Sequence, residues 1–167
     1  HGSHVSGCAD AVTNNGVGVA GPGYMCRFLP VKVSLDASTS AIDNGYDGIV
    51  YAADHGVNVI NMSWGRAGGP SSFEQSIIDY AAINKDVTMV AAAGNTSTDA
   101  AQYPPAYDNV VSVAATTNTD AKASFSTYNF TVDVCAPGNN IYATVANNTY
   151  GLMSGTSMAS PVAAGCA

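Results

Sequence analysis

Apolar positions recur along this chain in two rhythms. Short β-branched runs, 28–35 (FLPVKVSL), 57–63 (VNVINMS), 87–95 (VTMVAAAGN), 109–117 (NVVSVAATT) and 132–138 (VDVCAPG), read as buried strands. Between them lie amphipathic stretches. In 41–56 the apolar Ile42, Tyr46, Ile49, Val50 and Ala53 fall at helical spacing, with Gly56 as C-cap. In 71–84 Phe73, Ile77, Ile78 and Ala81 share one helical face behind a Ser71 or Ser72 cap. Strand, helix, strand in this order predicts βαβ units: an α/β domain with a mostly parallel sheet between helices. Ligands of such sheets bind beyond the carboxyl ends of the strands, where 61–65 (NMSWG) and 92–95 (AAGN) fall.

The 167 residues suffice for one domain, and 47% are hydrophobic against 10% charged, which excludes a disordered segment. A net charge of −7 with five Lys and Arg argues against a nucleic-acid surface. No apolar run reaches the roughly 18 residues of a membrane span. Cys8, Cys26, Cys135 and Cys166 show no CxxC spacing, so disulfides or free thiols fit better than a zinc knuckle. The low charge suits an extracellular protein. The chain opens on His1 inside a motif and stops within a helix-like segment, so it is read as a piece, 1–167, of a longer catalytic domain.

Three stretches carry candidate chemistry. Gly16, Gly18 and Gly21 match a dinucleotide GxGxxG pattern, but no strand precedes them and no helix follows, the reverse of the required context. His1 and His4 in HGSHVSG are a metal pair, a catalytic base with a structural neighbour, or residues without chemistry; no third ligand is at hand for zinc. Ser157 in GTSMASP begins a small-residue helical run, with Pro161 expected in its first turn. A helix N-terminus would favour an oxyanion beside Ser157; the alternative is a plain serine cap. Asn95 is likewise either a polar donor or an ordinary Gly-Asn turn.

Taken together, HGSHVSG, VINMSWG, AAAGN, ASFS, DVCAPG and GTSMASPVAAG resemble, in order and spacing, the sequence boxes of subtilisin-like serine proteases across the whole chain. The resemblance implies a three-layer subtilisin-like fold, here truncated at both ends, and a serine endopeptidase. His1 would be the general base, Ser157 the nucleophile, and Asn95 an oxyanion donor with the Ser157 N–H. Ser63, Trp64 and Gly65 would pair with an extended polypeptide substrate as an added strand. Ala92, Ala93 and Gly94 would line the primary pocket and Thr156 would help orient the site. Trp64 stands either as a subsite wall or as a core residue.

The same resemblance implies a structural calcium held by the Asn15 side chain and the carbonyls of Thr13, Val17 and Val19, with further ligands upstream and no catalytic cofactor. It also implies a cis peptide at Tyr103-Pro104, secretion, and a monomeric parent. The pairing Cys8–Cys26 with Cys135–Cys166 is the disulfide arrangement adopted. The family's catalytic aspartate lies N-terminal to the histidine. Asp10, Asp36, Asp43, Asp47 and Asp54 match no such box, so the chain alone is expected to be nearly inactive and poorly folded. The competing function is a pseudoprotease or binding module that keeps the fold.

Overall fold

The computed structural model describes residues 1–35 and 41–167; Asp36 lies outside them. Helix α1 (Gly2–Asp10) and α2 (Gly45–Asp54) precede strand β1 (Val59–Met62). Helix α3 (Ser72–Asp79) follows and runs into a π-helical turn, Tyr80–Asn84. Strands β2 (Thr88–Ala92), β3 (Val110–Thr116) and β4 (Val134–Pro137) complete a four-stranded sheet. A hairpin of β5 (Ile141–Val145) and β6 (Thr149–Met153) then leads to α4 (Thr156–Cys166).

The sheet runs β1-β2-β3-β4, all parallel, with Met62 beside Ala91 and Ala92 beside Val113. Alternation along β2 divides the core. Met89 and Ala91 join Ile49 and Ala53 of α2 and Ile78 of α3 on one face. Val90 joins Val113, Ala115, Ala136 and Ala159 under α4 on the other. Successive strand side chains point to opposite faces, so both faces of a covered sheet must be apolar. The mostly parallel α/β architecture expected from the sequence is the one observed.

The structure departs from the sequence reading at several points. Residues 28–35 form no strand. Phe28 and Leu35 are exposed, and the segment is tied locally to the start of α2, with Val33 O accepting from Asp43 N and Asn44 N. A β-branched run without a neighbouring strand has no ladder to enter. The helix expected over 41–56 begins only at Gly45. The antiparallel β5–β6 hairpin was not anticipated; its turn carries Asn147 and Asn148, both at positive φ, which is hairpin-turn chemistry.

All four cysteines carry free thiols, so neither Cys8–Cys26 nor Cys135–Cys166 is formed. Cys8 faces inward with Ala143 and Met158, while Cys26 sits on an exposed loop. Gly16 and Gly18 lie in an irregular loop from which no helix opens, which removes the dinucleotide reading. Tyr103-Pro104 is cis, as the resemblance implied.

Candidate active site

Ser157 occupies the first turn of α4, whose opening N–H groups have no partner within the helix. Helices α1 and α4 pack against one another: the bare Cα of Gly165 lies so close to α1 that a Cβ there would be 2.5 Å from Ala9 O. His1 begins α1, its carbonyl accepting from His4 N and Val5 N. Among the described residues no hydrogen bond engages its ring.

His4 is a different kind of group. It is fully buried, and its Nε2 lies 3.1 Å from Ile141 O and 3.2 Å from Gly151 O. Two carbonyl neighbours require Nε2 to carry the proton. Nδ1 is then the acceptor for the Cys8 thiol, 3.5 Å away. Burial pushes the Cys8 thiol up to about 11, so it stays protonated and able to donate. With both nitrogens engaged, His4 has none left for a metal, and it ties α1 to the β5–β6 hairpin.

Asn95 follows the carboxyl end of β2. Gly94 turns the chain there at φ 111°, open only to glycine, and its N–H donates to Thr156 Oγ1 at 3.1 Å. Asn95 Oδ1 accepts from Thr156 N at 2.8 Å and Thr156 Oγ1 at 2.9 Å. These two donors fix the amide's orientation and leave Nδ2 without a partner among the described residues. The bare face of Gly155 is the space Nδ2 looks into. A Cβ built there would lie 3.3 Å from Asn95 Nδ2 and 3.6 Å from Ser157 N. Two nitrogens without a hydrogen-bond partner among the described residues thus border the same small space over Gly155.

That hydroxyl donates to Ser63 O at 3.2 Å. In return Ser63 Oγ donates to Ser157 O at 2.9 Å and touches Ser160 Oγ at 3.0 Å. Pro161 lies in the interior of α4, not in its first turn as expected. It has no N–H for the carbonyl four residues earlier, which is Ser157 O, and Ser63 supplies the missing donor. Beyond Ser63, Trp64 and Gly65 make no backbone hydrogen bond to a described residue, whereas Arg66 and Tyr103 exchange two, at 2.7 and 2.9 Å. Trp64 is half-buried, its ring edge-on to Tyr46 at 5.4 Å and packed against the α2–α3 core. Ala92 and Ala93 are buried, on the strand leading to Gly94.

A polar cluster braces this strand. Glu74 Oε2 accepts from Arg66 Nη2 at 2.6 Å, Tyr107 OH at 2.5 Å and Tyr46 OH at 2.8 Å. Burial raises its pKa, but these hydrogen bonds, led by that from Arg66, outweigh it and leave the carboxyl below the usual value. Ser71 and Glu74 have the spacing of a capping box. Only half of it forms, because Glu74 turns to the cluster while Ser71 N donates to Tyr107 OH. Sequence reasoning passed over Glu74, Gly155 and Ser160; the S-x-x-E spacing was the available signal for the first.

The 12–20 loop curls around a cavity of about 270 Å³, with Asn14, Gly16 and Gly18 at positive φ. Asn15 Oδ1 accepts from Val17 N at 3.0 Å. Its donors, the Asn15 side chain and the carbonyls of Thr13, Val17 and Val19, are neutral oxygens, which fit a hard cation in kind. Calcium takes six to eight such oxygens, so the loop could hold only part of its shell.

A parallel sheet carrying a serine-headed helix beside a histidine-headed one defines a subtilisin-like α/β protein. The chain belongs to the subtilase family, peptidase S8, whose model matches residues 1–167. It is 46% identical to thermitase of Thermoactinomyces vulgaris, over all of this chain and 59% of that protein. It is 40% identical to an extracellular basic protease of Dichelobacter nodosus, over all of this chain and 30% of that protein. A solved protease structure from Pseudoalteromonas arctica superposes with a TM-score of 0.88 at 34% identity, covering 97% of this chain and 55% of that one. The chain therefore spans 30–59% of the length of these relatives.

Proposed function

We propose that this chain carries the histidine and serine of a serine endopeptidase acting through an acyl-enzyme. The observation that carries the reading is the convergence of Asn95 Nδ2 and Ser157 N on the bare face of Gly155. An oxyanion formed by attack of Ser157 Oγ on a carbonyl would be met there by both donors. His1 takes the serine proton and returns it to the leaving amine. The unpaired backbone of Trp64 and Gly65 receives the substrate as an extended strand, and Ala92, Ala93 and Gly94 line the pocket for its side chain.

Among the described residues no carboxylate is hydrogen-bonded to His1, so none of them holds its tautomer. Lack of that aspartate costs on the order of 10⁴ in turnover, a figure known from a subtilisin. The 167-residue chain by itself is accordingly nearly inactive, and a longer protein supplying that residue is the active form. A secreted protein fits the relatives, and no helix among the described residues is long and apolar enough to cross a membrane. The 12–20 loop contributes oxygens to a structural calcium that rigidifies the end of α1 and leaves the chemistry to the side chains.

A fluorophosphonate probe tests the reading. In the longer protein it labels Ser157, and Ser157→Ala abolishes both labelling and peptide hydrolysis. Labelling at another serine, or hydrolysis that survives Ser157→Ala, overturns it.

A further inference from the structure

The backbone of segment 63–66 spans a gap. Strand β1 ends at Met62, and the backbones of Trp64 and Gly65 make no hydrogen bond to a described residue. The segment is pinned at its two ends instead. Ser63 is tied to α4 through Ser157, by its hydroxyl and by its carbonyl. At the other end Arg66 exchanges two backbone hydrogen bonds with Tyr103, and its guanidinium reaches across to Glu74 of α3. A stretch without backbone partners of its own keeps one shape only as far as its ends are held.

The outer anchor gathers on one carboxylate. Glu74 Oε1 accepts from Arg66 Nε at 3.2 Å and Oε2 accepts from Nη2 at 2.6 Å, a two-point grip that fixes the plane of the guanidinium as well as its place. Tyr46 of α2 and Tyr107 donate to the same Oε2. Tyr46 is the ring that stands edge-on to Trp64. Tyr107 lies 4.7 Å, ring to ring, from Tyr103, the backbone partner of Arg66. Arg66 Nη1 donates to Gly69 O at 3.1 Å, which folds the following turn back over the same side chain. The carboxylate side chain is 17% exposed and the guanidinium one 40%, so Glu74 sits inside the cluster and Arg66 at its rim. Among the described residues none of these groups hydrogen-bonds to His1, Asn95 or Ser157.

We infer that Glu74 is a positioning residue for peptide binding: it fixes the outer end of segment 63–66, so that an extended substrate meets Trp64 and Gly65 already in place. The inference deepens the peptidase reading and rests on it. Ordering a loose backbone at the moment of binding costs affinity. Loosening the anchor therefore weakens the hold on a peptide long enough to lie along the segment. It spares a substrate that reaches only to Ser157, and it spares the chemical step, because the cluster touches none of the reacting groups.

The test uses the longer protease with a long and a short substrate: the anilide of acetyl-Ala-Ala-Pro-Leu, which can lie along the segment, and the ethyl ester of acetyl-leucine, which cannot. Glu74→Gln is expected to raise KM for the anilide about three- to tenfold with kcat unchanged, and to leave both parameters for the ester as they were. An unchanged KM for the anilide, an equal rise for the ester, or a fall in kcat alone overturns the inference and leaves the peptidase reading standing. Should Glu74→Gln not fold, Tyr46→Phe keeps the ring against Trp64 and takes one donor from Glu74. A smaller rise in the same KM is then expected, and no rise overturns the inference. If the longer protein cleaves neither substrate, the peptidase reading falls, and titration calorimetry with the anilide decides this inference. Weaker binding by Glu74→Gln supports it; equal binding, or none by either form, overturns it.

Discussion

Ser63 Oγ stands 2.9 Å from the carbonyl oxygen of Ser157, so the segment after β1 holds the backbone at the start of α4. The contact exists because Pro161 withholds the helical donor that this carbonyl would otherwise receive. The same Ser63 accepts the Ser157 hydroxyl on its main-chain oxygen. Ser63 and Ser157 are therefore joined twice.

Ser63→Ala leaves the Ser157 carbonyl and Asn61 Nδ2 without their partner. The expected loss is about 1–3 kcal/mol of stability, read from the urea midpoint. An unchanged midpoint would show that water replaces the hydroxyl without cost.

Of the two histidines, His4 holds the fold, and His1 is expected to carry the chemistry. His4→Ala removes a fully buried ring and the donor of two carbonyls, so about 2–4 kcal/mol of stability should be lost. His1→Ala, at the exposed start of α1, should leave the melting temperature nearly unchanged while abolishing peptide hydrolysis in the longer protease.

Asn95→Asp keeps an acceptor for Thr156 but removes the Nδ2 donors. Turnover in the longer protease should fall about 10²–10³-fold with little change in KM, a magnitude established on a subtilisin itself. Steady-state kinetics on one peptide substrate checks both parameters.

Glu74 makes stability depend on acid pH. Its folded-state pKa lies below the usual 4.5, so its contribution is complete above that value and is lost as pH falls through the lowered one. Arg66 stays charged throughout, its pKa raised by the hydrogen bond to Glu74. Glu74→Gln should lower stability near neutral pH by about 1–2 kcal/mol after allowing for the exposure of Arg66, read as a lower urea midpoint, and flatten the decline below about pH 5. Denaturation series across that range provide the comparison.

The free thiols predict an alkylation pattern. Iodoacetamide should modify Cys26, Cys135 and Cys166 readily in the native protein and Cys8 only after unfolding, since Cys8 alone is buried and its pKa is raised to about 11. Mass spectrometry of alkylated peptides counts them. Rapid native modification of Cys8 would contradict the His4 contact.

Local pattern carried much of this molecule. Near-continuous apolar runs in 87–95 and 109–117 showed two core strands, because a strand covered on both faces must be apolar at nearly every position. The boxes around His1, Asn95 and Ser157 were legible because their residue types are tied to short segments. Residues 28–35 had the composition of a strand, yet strand formation requires a neighbour, and none of the described residues provides one. The cysteine pairing failed for a related reason: spacing along the chain says nothing of which way Cys8 points.

What the sequence determined by itself is the alternation of strands and helices, the apolar faces and the family boxes around His1, Asn95 and Ser157, all consequences of side-chain chemistry and short-range periodicity. What the tertiary structure decided is the contacts between them: Gly165 packed against Ala9 of α1, Thr156 orienting the Asn95 amide, and Ser63 holding the Ser157 carbonyl. These contacts join residues far apart in the chain, and their geometry is fixed only when the sheet and helices pack together.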